Sequence, residues 1–116
     1  MTTVEEGTKG VMELSIDVRE QGPQCVVVLA GELDMQTAPD LSDRLTGLID
    51  GGCRDVVVDV AGLEFMDSSG LAAILGGHKA LRERDGKLVL VSPNEHLIKM
   101  VRITGLDEVF EIRTSR

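Results

Sequence analysis

Three short strand-like segments, Cys25 to Ala30, Asp55 to Val60 and Lys87 to Val91, are separated by stretches whose apolar residues recur every three or four positions. This alternation constrains the fold more than any other feature of the chain. Parallel strands need a crossover long enough to be a helix, so strands alternating with amphipathic helices predict an α/β domain with a mostly parallel sheet. The crossovers are expected to be right-handed. Ahead of them, Met12, Leu14, Ile16 and Val18 alternate with Glu13, Ser15, Asp17 and Arg19, a period of two that marks a strand with one face buried. Gln21-Gly22-Pro23-Gln24 supplies turn residues, which makes the first two strands an antiparallel hairpin.

The helices are bounded by recognisable signals. Thr37 can cap the first, with Pro39 in its opening turn and Asp40 near the positive end of the dipole. Ala38, Leu41, Leu45, Leu48 and Ile49 share one face, and Gly51-Gly52 ends the element. After a loop, Leu71, Ile74, Leu75, His78 and Leu81 form a second stripe closed by Asp85-Gly86. Ser92, with Glu95 three residues on, opens a third helix as a capping box; Leu97, Ile98 and Val101 face inward and Gly105 stops it. Val109 to Ile112 reads as a last short strand. The expected order is ββαβαβαβ, with residues 1–10 a flexible tail and 11–116 one domain.

Two Phe and no Trp or Tyr among 116 residues require an aliphatic core and remove the stacking platforms of single-stranded nucleic-acid binders. Twenty acidic against twelve basic residues, a formal charge of −8, argue against direct nucleic-acid binding and against adsorption on an anionic membrane. The same surface could steer the domain toward a basic protein, or simply keep it soluble. Cys25 and Cys53 stand in no CxxC or Cys/His cluster and read as small buried hydrophobes. Residues 1–10 lack the apolar run of a signal peptide and no transmembrane stretch follows, so the expected location is the cytoplasm.

The segment Phe65-Met66-Asp67-Ser68-Ser69-Gly70-Leu71 joins a buried strand to a helix start. Open α/β sheets meet ligands and partners at the carboxyl ends of their strands, so this is the expected functional edge. One hydroxyl can cap the helix and the other is left facing solvent. Asp-Ser-Ser-Gly is also ordinary capping chemistry. A phosphoacceptor is the sharper alternative, since backbone N–H groups at a helix start can receive a phosphate.

GELDMQTAPDL (31–41), LEFMDSSGLAAILGGHKALRERDGKLVLV (63–91) and IKMVRITGLDEVFEI (98–112) resemble the STAS-domain anti-sigma factor antagonists of sporulation and general-stress regulation. The resemblance covers the chain from first strand to last and assigns residues 11–116 to a single STAS domain, with helices gathered on one sheet face. It implies a partner-switching cycle without enzymatic turnover or a cofactor. The unphosphorylated antagonist binds an anti-sigma factor that is also a serine kinase, freeing a sigma factor. The kinase phosphorylates Ser68, and a metal-dependent serine phosphatase reverses the step. Asp34 would help dock the kinase; Thr37, Asp67, Ser69, Gly70 and Leu71 are the other interface candidates, by adjacency to Ser68. The family's final helix is expected to be short or missing.

Other classes find less support. His78 lies on an inward stripe, His96 opens an exposed turn, and neither has a metal-spaced partner. There is no P-loop and no GxGxxG after a strand. Asp59 could suggest a phosphorelay receiver, but that pattern's early acidic pair and late Lys are missing. A STAS scaffold in a larger signalling or lipid-transport assembly is the closest rival.

Overall fold

The computed structural model describes residues 13–91 and 93–114. Its elements are β1 (Ser15–Gln21), β2 (Gln24–Leu33), α1 (Ala38–Asp50), β3 (Asp55–Met66), α2 (Ser68–Arg82), β4 (Lys87–Val91), α3 (Glu95–Ile103), a 3-10 turn (Leu106–Glu108) and β5 (Glu111–Arg113). The strands form one sheet in chain order, β1-β2-β3-β4-β5. β1 pairs antiparallel with β2, and every later neighbour is parallel. This is the α/β architecture the apolar pattern predicts. The expected tail at 1–10, and Met12 at the start of the first strand, lie outside the described residues.

The pleat sorts the core. Cys25, Val27 and Leu29 of β2, Val56, Val58 and Val60 of β3, and Leu88 and Leu90 of β4 point to one face. They share a single cluster with Leu41, Leu45 and Ile49 of α1, Leu71, Ile74 and Leu81 of α2, and Leu97 and Val101 of α3. All three helices therefore cover the same side of the sheet. Gly77 lets α1 and α2 approach closely, because a Cβ there would stand 2.9 Å from Leu45 Cδ1.

Three boundaries and one side-chain pairing differ from the sequence expectation. β3 continues past Val60 to Met66, because residues 62–66 keep pairing with β2 across two register shifts. α3 begins at Glu95, capped by Asn94, whose Oδ1 accepts the Leu97 N–H at 2.9 Å; the side chain of Ser92 lies outside the described residues. Val109 and Phe110 close the 3-10 turn rather than opening the last strand, since their N–H groups bond back to Leu106. Cys25 and Cys53 are buried as expected, but they are joined as a disulfide.

His78 is 7% exposed, edge-on to Phe110 with ring centroids 5.4 Å apart. Its Nδ1 has no hydrogen-bond partner among the described residues. Burial, and secondarily the charge of Arg82 one turn on, lower its pKa below the ordinary 6.5. The unfolded chain then binds this proton more readily than the folded one. The neutral ring's contribution is complete above about pH 6.5 and is lost as pH falls toward the folded value. Urea unfolding between pH 7.5 and 5 should show a steeper loss of stability for wild type than for His78→Gln; equal slopes would contradict the assignment.

Candidate functional site

β2 and β3 end side by side, with Leu33 paired to Met66, and each chain leaves the sheet toward a helix. The Asp67 N–H donates to the Leu33 carbonyl at 3.2 Å, which ties the two exits together. Asp67 is extended, and its Oδ1 accepts from the N–H groups of Ser69 (2.9 Å) and Gly70 (3.1 Å). The cap of α2 is thus a carboxylate and not one of the two hydroxyls. An anion suits the positive helix end better than a hydroxyl does, and it leaves both serines uncommitted.

Ser68 is the first residue of α2; it is exposed, and its hydroxyl has no hydrogen-bond partner among the described residues. Ser69 is half-buried beside it. Gly70 and Leu71 lie beneath. A Cβ on Gly70 would come within 2.5 Å of Leu33 Cγ and 3.0 Å of the Leu33 carbonyl oxygen, and Leu71 is in the core at 3% exposure. Both were expected at the interface. The structure places both beneath the edge, Gly70 against Leu33 and Leu71 in the core.

The neighbouring loop is also preorganised. Asp34 Oδ1 accepts from the N–H groups of Gln36 (2.9 Å) and Thr37 (3.1 Å). The Thr37 hydroxyl accepts from the Asp34 N–H and donates to the Glu32 carbonyl, both at 2.9 Å. Thr37 occupies the N-cap position of α1, yet its side chain makes no cap bond. It staples the loop back onto β2 instead. Asp34 and Thr37 therefore hold one turn beside Leu33, the residue against which Asp67 and Gly70 rest.

Between the starts of α1 and α2 runs a shallow groove lined by Met35, Pro39, Ser42, Ser69 and Ala72, with Asp43 on its rim. Met35 is 73% exposed. The sequence reading missed it, although a large apolar side chain in the otherwise polar run Asp34-Met35-Gln36-Thr37 is itself a signal.

The enzyme readings find no geometry here. His78 is ten residues along α2 from Ser68, about 15 Å of helix rise away, so it cannot act as that hydroxyl's base. Asp59 is buried in mid-strand with its carboxylate accepting the Ala61 N–H at 3.0 Å, not at a strand end as a receiver's acceptor would be.

A family model described as "Mlab, STAS domain" matches residues 16–113. The anti-sigma-B factor antagonist of Staphylococcus aureus is 33% identical over 101 residues, which is 87% of this chain and 94% of that protein. The chain belongs to the STAS-domain family of anti-sigma factor antagonists. Its fold superposes on an anti-sigma factor antagonist from Mycobacterium paratuberculosis with a TM-score of 0.80, at 25% identity over 89% of this chain and 87% of that one. The unphosphorylated form of the antagonist SpoIIAA has the same fold, with a TM-score of 0.76 at 23% identity, over 84% and 87% of the two chains. No helix among the described residues is long and apolar enough to cross a membrane.

The Asp67 cap sets the start of α2 in this antagonist, so its removal should be felt by the whole domain. Asp67→Ala is expected to cost about 0.5–2 kcal/mol in urea unfolding, with Asp67→Asn recovering most of it. An unchanged midpoint for Asp67→Ala would show that the cap is dispensable.

Proposed function

We propose that the chain binds an anti-sigma factor, itself an ATP-dependent serine kinase, through the edge formed by Ser68, Asp34 and the Met35 groove, and so frees a sigma factor. Phosphate transferred to Ser68 ends that binding, and a serine phosphatase restores it. The protein acts by occupancy and not by turnover, in the cytoplasm where such partners work. The observation that carries this reading is an uncommitted, exposed hydroxyl at the first position of α2, beside a loop already held in shape.

The same geometry supplies the switch. The N–H groups of Ser69 and Gly70, which a phosphate would otherwise use, are occupied by Asp67. A phosphate on Ser68 brings a charge of about −1.5 to −2 next to that carboxylate. Repulsion directs it outward, into the space where a partner sits. Burying an unpaired charge in that contact costs about 3–5 kcal/mol, roughly a thousandfold in affinity. The antagonist's own core need not rearrange. Its apolar groove, lined in part by Asp43, suits a partner offering an apolar anchor beside a basic group.

The test is phosphosite mapping with the candidate kinase and ATP, paired with binding of Ser68→Ala and Ser68→Asp. We expect label on Ser68, retained binding by Ser68→Ala, and a loss of roughly a thousandfold for Ser68→Asp. Equal affinity of wild type and Ser68→Asp would end the switch model, as would label on Ser69 alone. Pull-down from the source cell that retrieves transporter subunits or a large sensor complex, without a kinase, would favour the scaffold role. Met35→Asp should weaken the complex at least about tenfold while leaving the thermal midpoint within a few degrees of wild type. Undiminished affinity would remove the groove from the interface.

A further inference from the structure

The sheet has a second organised end. Cys25 opens the buried part of β2, and Cys53 sits in the connection from α1 to β3. Their Cα atoms are 6.2 Å apart, inside the range a disulfide spans, and the two residues are 0% and 4% exposed. Each is placed by its backbone independently of the sulfur bond. Cys25 pairs with Glu20 of β1 and Val56 of β3 in the sheet. The Cys53 N–H donates to the Leu48 carbonyl at 3.0 Å, and the Arg54 guanidinium bridges the Ile49 and Cys53 carbonyls at 3.0 and 2.8 Å. The N–H groups of Arg54 and Asp55 both donate to the Pro23 carbonyl, at 2.8 and 3.1 Å. As free thiols the pair would remain two small hydrophobes of the aliphatic cluster, with their sulfurs moved apart from bonding distance. The carboxylate of exposed Glu20 stands within 4.8 Å of the sulfurs.

We propose that Cys25 and Cys53 are a reversible redox couple, a thiol-modification site at the end of the sheet away from Ser68 that sets the stability of the domain. The oxidant is a low-molecular-weight disulfide of the glutathione type. The Cys53 thiolate, the less buried of the two, attacks one sulfur of that disulfide and displaces a thiolate, giving a mixed disulfide. Cys25 then attacks the Cys53 sulfur and displaces the second thiolate. Two protein thiols are oxidised to one disulfide, one external disulfide is reduced to two thiols, and the protons pass to the released thiolates. The bond closes a loop across 28 residues that contains the whole of α1, so oxidation restricts the unfolded chain most where it would free that helix. In a reducing compartment the couple rests as thiols and the domain is correspondingly less stable.

The full chain equilibrated with excess oxidised glutathione, or with a phosphine reductant, tests this by thiol alkylation, intact mass and thermal unfolding. Quantitative interconversion between forms carrying two and no alkylatable thiols is expected, with the oxidised form melting roughly 10 °C or more above the reduced one. Cys53→Ser should melt at one temperature in both buffers; if that variant does not fold, Cys25→Ala serves the same purpose. Thiols that stay free in excess oxidised glutathione, or coincident midpoints of the two forms, overturn the proposal. Reduced protein retaining one zinc per chain would also overturn it, in favour of a thiolate site with Glu20 as third ligand. None of these readouts depends on Ser68 or on its partner.

Discussion

Asp67 organises the edge at which β2 and β3 end. By accepting from Ser69 and Gly70 it starts α2, and by donating its own N–H to Leu33 it fixes that start against the end of β2. Gly70 can only be glycine-sized because Leu33 fills the space where its Cβ would go. Ser68 is therefore presented by a junction in which Asp67 and Gly70 are already committed, while its own hydroxyl has no partner among the described residues. An acid cap also differs from a hydroxyl cap in consequence. It holds the Ser69 and Gly70 N–H groups, which an anion at this helix start could otherwise use.

The fold was legible because its signals are local. Alternation in Leu14, Ile16 and Val18, the valine-rich run from Asp55, and the leucine stripes of α1 and α2 each mark an element within a dozen residues. What escaped depended on pairs distant in sequence or on where a side chain points. The extension of β3 through Phe65 is held by β2, not by its own polar composition. Cap identity failed at two of the three helices named, because Thr, Ser and Asp are interchangeable on paper and separated only by where each side chain points. Cys25 and Cys53 gave no hint of their meeting, since no spacing rule brings residues 28 apart together.

Ser68, Asp34 and Thr37 were named from sequence, and the structure sets them at the adjoining ends of β2 and β3. Asp34 and Thr37 bond chiefly to each other and to Glu32, so their first contribution is a stiff loop. Gly70 and Leu71 matter through packing. Met35, which offers the largest exposed apolar surface nearby, was invisible to a reading organised around charged and hydroxyl groups. The edge thus sets an exposed hydroxyl and an exposed apolar side chain on two turns, each held by an aspartate.

The unbroken spatial order of the five strands carries a further implication for how the polypeptide acquires its shape. Every strand finds its mate in the one made just before it, so assembly can proceed from the hairpin outward by successive short closures, without threading a late segment between early ones. Each addition buries one more helix on a surface already laid down. A ribosome releasing such a chain gradually exposes it in the sequence in which it can be used.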